Sequence, residues 1–157
     1  MMDLYAALKI AHIIGAAVLL GTGAGIAFFM VMANRTGDAA FIAKTARIVV
    51  IADYLFTASA VVVQPATGFA LAWMGHYPLL HGWLMVSLVL HLVTGAFWLP
   101  VIWIQSRLRD LARTAAEGNG ILPAEYHSLY RLWLVCGAPA FTAVLGIIAL
   151  MVMKPAF

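Results

Sequence analysis

The chain has 157 residues, of which 65% are apolar and only 10% charged, and its formal net charge is +3. With a mean hydropathy of +1.01 it lies outside the range of soluble domains and reads as a membrane protein. The basic residues sort by connection rather than forming one patch, which argues against a nucleic-acid partner, and the single cysteine, Cys136, excludes an internal disulfide, a Cys-x-x-Cys-His haem attachment and an iron–sulfur ligand set.

Four predominantly apolar runs, residues 4–32, 48–73, 82–104 and 132–153, each reach the roughly 20 residues that cross a bilayer core. Backbone polar groups in hydrocarbon must be satisfied internally, and the runs lack the period-2 alternation of barrel strands, so the expected fold is an all-α integral membrane bundle of four transmembrane helices, one domain over 1–157.

The first run has no basic segment before it and is expected to be retained as a helix. His12 falls roughly 12 Å along its axis. Gly15, Ala16, Gly23 and Ala27 share its face and are expected to leave a hollow beside the imidazole, while Gly21 and Gly25 form a GxxxG pair opposite, expected to pack on the fourth helix or on a second copy of the chain. Arg35, Lys44 and Arg47 flank the connection that follows. In the second run Asp53, Thr57, Gln64, Thr67 and Gly68 lie on one face, and Asp53, near Arg47, is expected to snorkel to the interface. The connection 74–81 carries His76 and His81, expected to be interfacial because no third zinc ligand is near.

In the third run Ser87, His91, Thr94, Gly95 and Trp98 make a polar stripe with His91 about 14 Å deep, and Gln105 lies towards its far end. Residues 105–116 are expected to continue as an amphipathic helix, with Gly118-Asn119-Gly120 as its stop and Pro123 as a restart; His127 is expected on the surface. The fourth run, with Pro139, Thr142 and Gly146, reads as scaffold. Arg107, Arg109, Arg113 and Arg131 join the basic residues of the first connection, so the positive-inside rule fixes the orientation of a multi-pass protein, expected in the bacterial inner (cytoplasmic) membrane. Both termini are then expected on the outer, periplasmic side, with 33–47 and 105–131 cytoplasmic and their arginines on anionic lipid.

His12, Gln64 and His91 share one depth. Three readings follow from the residues: bundle histidines hydrogen-bonded to Gln64, Thr94 or a carbonyl; axial ligands of haem b, whose flat macrocycle needs small residues beside it; or a proton or ion pathway. For haem, Tyr5, Lys9, Trp73, Tyr77 and Trp83 are the candidates near the propionates.

The stretches ADYLFTASAVVVQPATGFALAW (52–73), FWLPVIWIQSRLRDLA (97–112) and LWLVCGAPAFTAVLGIIALMVMKP (132–155) resemble a bacterial integral membrane family catalogued as domain of unknown function 2269, a likeness that covers nearly the whole chain and implies no activity. Lys9, His12 and Gly15 are similar to the opening of the HemJ-type protoporphyrinogen oxidases, and that likeness implies that His12 is a haem ligand. Where those oxidases carry a histidine and a lysine this chain has Met85 and Ser87, which removes the implication of porphyrinogen oxidation and leaves His91 as the candidate second ligand. The expectation is therefore a haem b, cytochrome b-like protein in electron transfer or haem or respiratory metabolism, with iron on His12 and His91 and with Gly15, Gln64, Ser87, Thr94 and Trp98 around them. A non-enzymatic subunit or assembly factor, joining a homodimer or respiratory complex through Gly21 and Gly25, is the alternative, and a proton-coupled transporter using Asp53, Gln64 and the histidines is the third.

Overall fold

A computed structural model of the chain describes residues 3–80 and 82–156. Four helices, α1 (Leu4–Thr36), α2 (Ala39–Met74), α3 (Gly82–Glu117) and α4 (Ala124–Met153), are each long and apolar enough to cross a membrane, and no strand occurs among the described residues. Their short connections make neighbours antiparallel. Large apolar side chains such as Ile13, Phe28, Leu55 and Leu92 stay more than half exposed around the bundle, a surface that only lipid satisfies.

Local chemistry sets the ends. Gly37 closes α1 in the left-handed conformation at φ 67°, and the Asp38 carboxylate accepts the Ala40 and Phe41 N–H groups at 2.8 and 3.2 Å, so two residues turn the chain into α2. Helix α3 runs past Gln105 to Glu117, where Gly120 takes φ 77° and Pro123 precedes α4. Residues 33–47 and 105–131 are thus mostly helix: only 37–38 and 118–123 leave it. His76 is exposed beyond the end of α2 at φ 55°, whereas the reading of His81 lies outside the described residues.

The bundle is tight at one end and open at the other. At the arginine-rich end Met30, Ile42, Ile104, Leu108 and Tyr126 are almost wholly buried, and the Tyr126 hydroxyl donates to Asn34 Oδ1 at 3.1 Å, pinning the start of α4 to the end of α1. Helices α3 and α4 stay packed along their length, while α2 changes partner: its first half lies against α3 and its second half against α1. Contact between α1 and α4 is sparse. The interior of the terminal half is therefore less filled, and its buried side chains include Gln64, Thr67, Ser87 and Thr94. Of the two partners expected for the GxxxG pair, the fourth helix is ruled out: beyond the helix's own backbone no described atom lies within 4 Å of where a side chain at Gly21 or Gly25 would begin, so α4 does not cover that face.

Candidate intramembrane binding site

Helix α2 contains one wide turn. Over Asp53–Thr57 the helix is π-wound, and the Ala58 N–H reaches back five residues to the Asp53 carbonyl. Such a turn inserts a residue into the α-helical register and is a recurrent mark of functional sites. Here it sends Tyr54, Leu55 and Phe56 outward and turns Asp53 and Thr57 into the bundle. Asp53 is 3% exposed, so the snorkelling expectation is corrected: its side chain does not reach the interface.

The carboxylate is held by neutral donors. Trp98 Nε1 donates to Oδ1 at 3.2 Å. With the Gln105 amide oriented to satisfy both its neighbours, its Nε2 donates to Asp53 Oδ2 at 3.0 Å and its Oε1 accepts the Trp133 indole N–H at 3.1 Å. Thr57 Oγ1, buried in the same turn, faces the same carboxylate without closing a hydrogen bond to it. These groups sit at a cavity of about 300 Å³ between α1, α2, α3 and α4, whose walls are otherwise apolar, with Gly23 and Ala27 of α1 facing Gly137 and Phe141 of α4. An ionisable side chain so placed, in an apolar cavity with a few converging polar groups, is an arrangement typical of small-molecule sites.

The histidines line a second, smaller cavity of about 60 Å³ together with Gln64 and Ser87. Thr67 Oγ1 spends its one hydroxyl proton on the Val63 carbonyl at 2.7 Å, so the 2.8 Å contact with His12 Nδ1 has the imidazole donating and leaves Nε2 free. Gly68 lets that ring lie against α2, since a methyl group there would stand 3.3 Å from His12 Cε1. The His91 ring faces the Val61 carbonyl. That carbonyl lies four residues before Pro65, which has no N–H to give it, and the His91 imidazole is the polar group turned towards it.

The residues expected around a haem divide between the two cavities: Gln64 and Ser87 line the one with His12 and His91, and Thr94 and Trp98 line the other. Gln64 Nε2 donates to the His12 backbone carbonyl at 2.8 Å rather than to either ring, and it fills the space that Gly15 clears, so close that any side chain at Gly15 would collide with it. Ser87 and Thr94 turn their hydroxyls back to the Trp83 and Leu90 carbonyls of their own helix, and Trp98 serves Asp53 in the other cavity. Thr67, which fixes the His12 tautomer, escaped the site reading although it shares a helix face with Gln64. Met85 is exposed on the outside of the bundle. No hydrogen bond among the described residues links Asp53 to the histidine layer, so the expected relay is not continuous.

Haem b does not fit this arrangement. The donor chemistry suits it, because each imidazole turns one nitrogen to α2 and keeps the other. The space does not: 60 Å³ holds about two waters, each taking some 30 Å³ of liquid, and no tetrapyrrole. The larger cavity carries no histidine, and Tyr77 and Trp83 are engaged by Lys154, whose ammonium lies 5.2 and 5.8 Å from their ring centres.

A family model described as "Predicted integral membrane protein (DUF2269)" matches residues 6–155. The chain belongs to this family. No curated protein and no solved structure matches it. Membership and fold together correct the localisation: the family is integral to the membrane over residues 6–155, and 33–47 and 105–131 are largely parts of the four long helices, so their assignment as cytoplasmic segments is withdrawn. What stands is an integral membrane protein with several spans.

Proposed function

We propose that this family member is a membrane-embedded binding protein for lipid-soluble small molecules, with the ligand's polar head at Asp53 and its apolar body in the 300 Å³ cavity. The observation that carries the reading is a carboxylate 3% exposed at the floor of an apolar cavity, held only by neutral N–H donors. An acceptor-only group suits a head that brings a donor or a positive charge, and the unpartnered Thr57 hydroxyl offers a second contact. The sparse packing of α1 against α4, with Gly23 opposite Phe141, gives a lateral way in from the bilayer.

The test is quenching of tryptophan fluorescence by a brominated alkyl alcohol, 12-bromododecan-1-ol, titrated into the purified protein in detergent. Trp98 and Trp133 lie on the cavity, so a saturable component is expected, and it should be lost in Gly137→Phe, whose ring would occupy the space. Quenching that rises without saturation and is the same in both proteins would overturn the reading. The visible spectrum of the same preparation tests haem-based electron transfer: a Soret band that shifts with dithionite and disappears in His12→Ala would establish it, against the fit found above.

A further inference from the structure

The charges around the cavity narrow the ligand class, an inference that rests on the cavity being a binding site. Asp53 is the only ionisable side chain among the described residues that line it. The groups facing the carboxylate from the other helices are Trp98 and Gln105 of α3 and Trp133 of α4, while α1 contributes only apolar side chains and Gly23; none of these titrates. Arg47, the nearest basic residue on α2, is exposed and makes no ion pair. Among the described residues, therefore, none supplies a counter-charge to this carboxylate.

A buried carboxylate without one is costly, and two neutral N–H donors offset only part of the cost. The two forms of the site with no net charge are a carboxyl that holds a proton and a carboxylate that holds a cation. The two indoles line the same cavity, and a desolvated cation that lies over the face of either ring is attracted by its quadrupole. Apart from Thr57 and from Thr94, whose hydroxyl is turned back to its own helix, the remaining walls are apolar.

We propose that the cavity takes a lipophilic cation, which enters as the counter-charge of Asp53 beside Trp98 and Trp133 and displaces one proton from the carboxyl. For a permanently charged ammonium the exchange balances: the O–H bond of Asp53 breaks, the proton leaves to solvent, and the carboxylate pairs with the cation. Because proton and cation compete for one group, affinity rises with pH until the carboxyl has lost its proton and is constant above that.

The experiment compares benzyltrimethylammonium with its neutral carbon isostere, neopentylbenzene, by calorimetric titration of the purified protein in a non-ionic detergent, in two buffers of different protonation enthalpy. The cation is expected to bind at least about tenfold more tightly than the isostere, with up to one proton released per cation bound at a pH where affinity still rises and none on the plateau above it. Asp53→Asn should abolish that preference and the proton release, and Asp53→Glu should restore both. Equal affinities in the wild-type protein would overturn the cation proposal and leave the binding reading standing; no binding of either compound, together with unsaturable quenching by the bromoalcohol, would overturn both. If Asp53→Asn does not fold, the wild-type comparison still decides the charge question, and a cation preference that survives in a folded Asp53→Asn protein overturns the assignment to Asp53.

Discussion

Gly15 and Gly25 stand on the same helix and answer differently to one added methyl group. At Gly15 the new carbon meets the Gln64 amide, which must leave the His12 carbonyl; at Gly25 it meets nothing within 4 Å. Gly15→Ala is therefore expected to destabilise the protein by about 1–3 kcal/mol through overpacking and a lost hydrogen bond. Gly25→Ala and Gly21→Ala are expected to be neutral or to stabilise by up to about 1 kcal/mol, the helix-propensity gain of alanine over glycine. Unfolding by SDS titrated into mixed micelles measures all three. Equal effects at the three positions would mean that Gln64 does not fill the space beside Gly15. The small residues around His12 were legible in the sequence as a hollow, but its occupant was not: a helix wheel shows which face is empty, and the side chain that fills it comes from a different helix.

Helix α2 carries two departures from ideal winding, and both decide what its polar residues do. The sequence reading put Asp53 and Thr57 on one face with Gln64 and Thr67, and all four are buried even though the π-turn at Asp53–Thr57 interrupts the 100° step; the error was to send the Asp53 side chain towards the interface because Arg47 is near in sequence. Nothing in the residue types Asp-Tyr-Leu-Phe-Thr announces such a turn. Pro65 is the opposite case, visible in the sequence, with a consequence visible only in the structure: it strips the Val61 carbonyl of its donor, and His91 of α3 faces that carbonyl. His91→Phe is expected to cost about 1 kcal/mol by leaving the carbonyl unpaired in the membrane. Pro65→Ala returns a backbone N–H to Val61, so in that background the cost of His91→Phe should largely vanish. A double-mutant cycle on SDS unfolding reads this coupling, expected near 1 kcal/mol, and strict additivity would show that His91 is not the carbonyl's partner.

On the scale of the whole molecule the bundle divides into a filled half and a hollow half, and the four spans alone did not reveal that division. Their number and positions were legible because about 20 uncharged residues and a bilayer impose a helix, whereas cavity volume depends on how side chains from four helices meet. The division predicts opposite responses to the same kind of substitution. Ala46, 1% exposed in the cluster with Ile42 and Leu108, has no room to grow, and Ala46→Leu should cost about 1–3 kcal/mol by overpacking. Gly137 lines the 300 Å³ cavity with open space where its side chain would begin, so Gly137→Leu should stabilise by about 1–3 kcal/mol, from helix propensity and from filling void at about 24 cal/mol per Å³. The same leucine occupies the ligand's space, so it should raise resistance to SDS and remove the saturable quenching of Trp98 and Trp133 together. A Gly137→Leu protein that is more stable and still binds would place the ligand elsewhere; one that is less stable would mean that the void is not free volume in the folded bundle. Gain of stability with loss of binding is the outcome expected of a cavity kept open for a guest, because a void with no ligand to hold only weakens the helices around it.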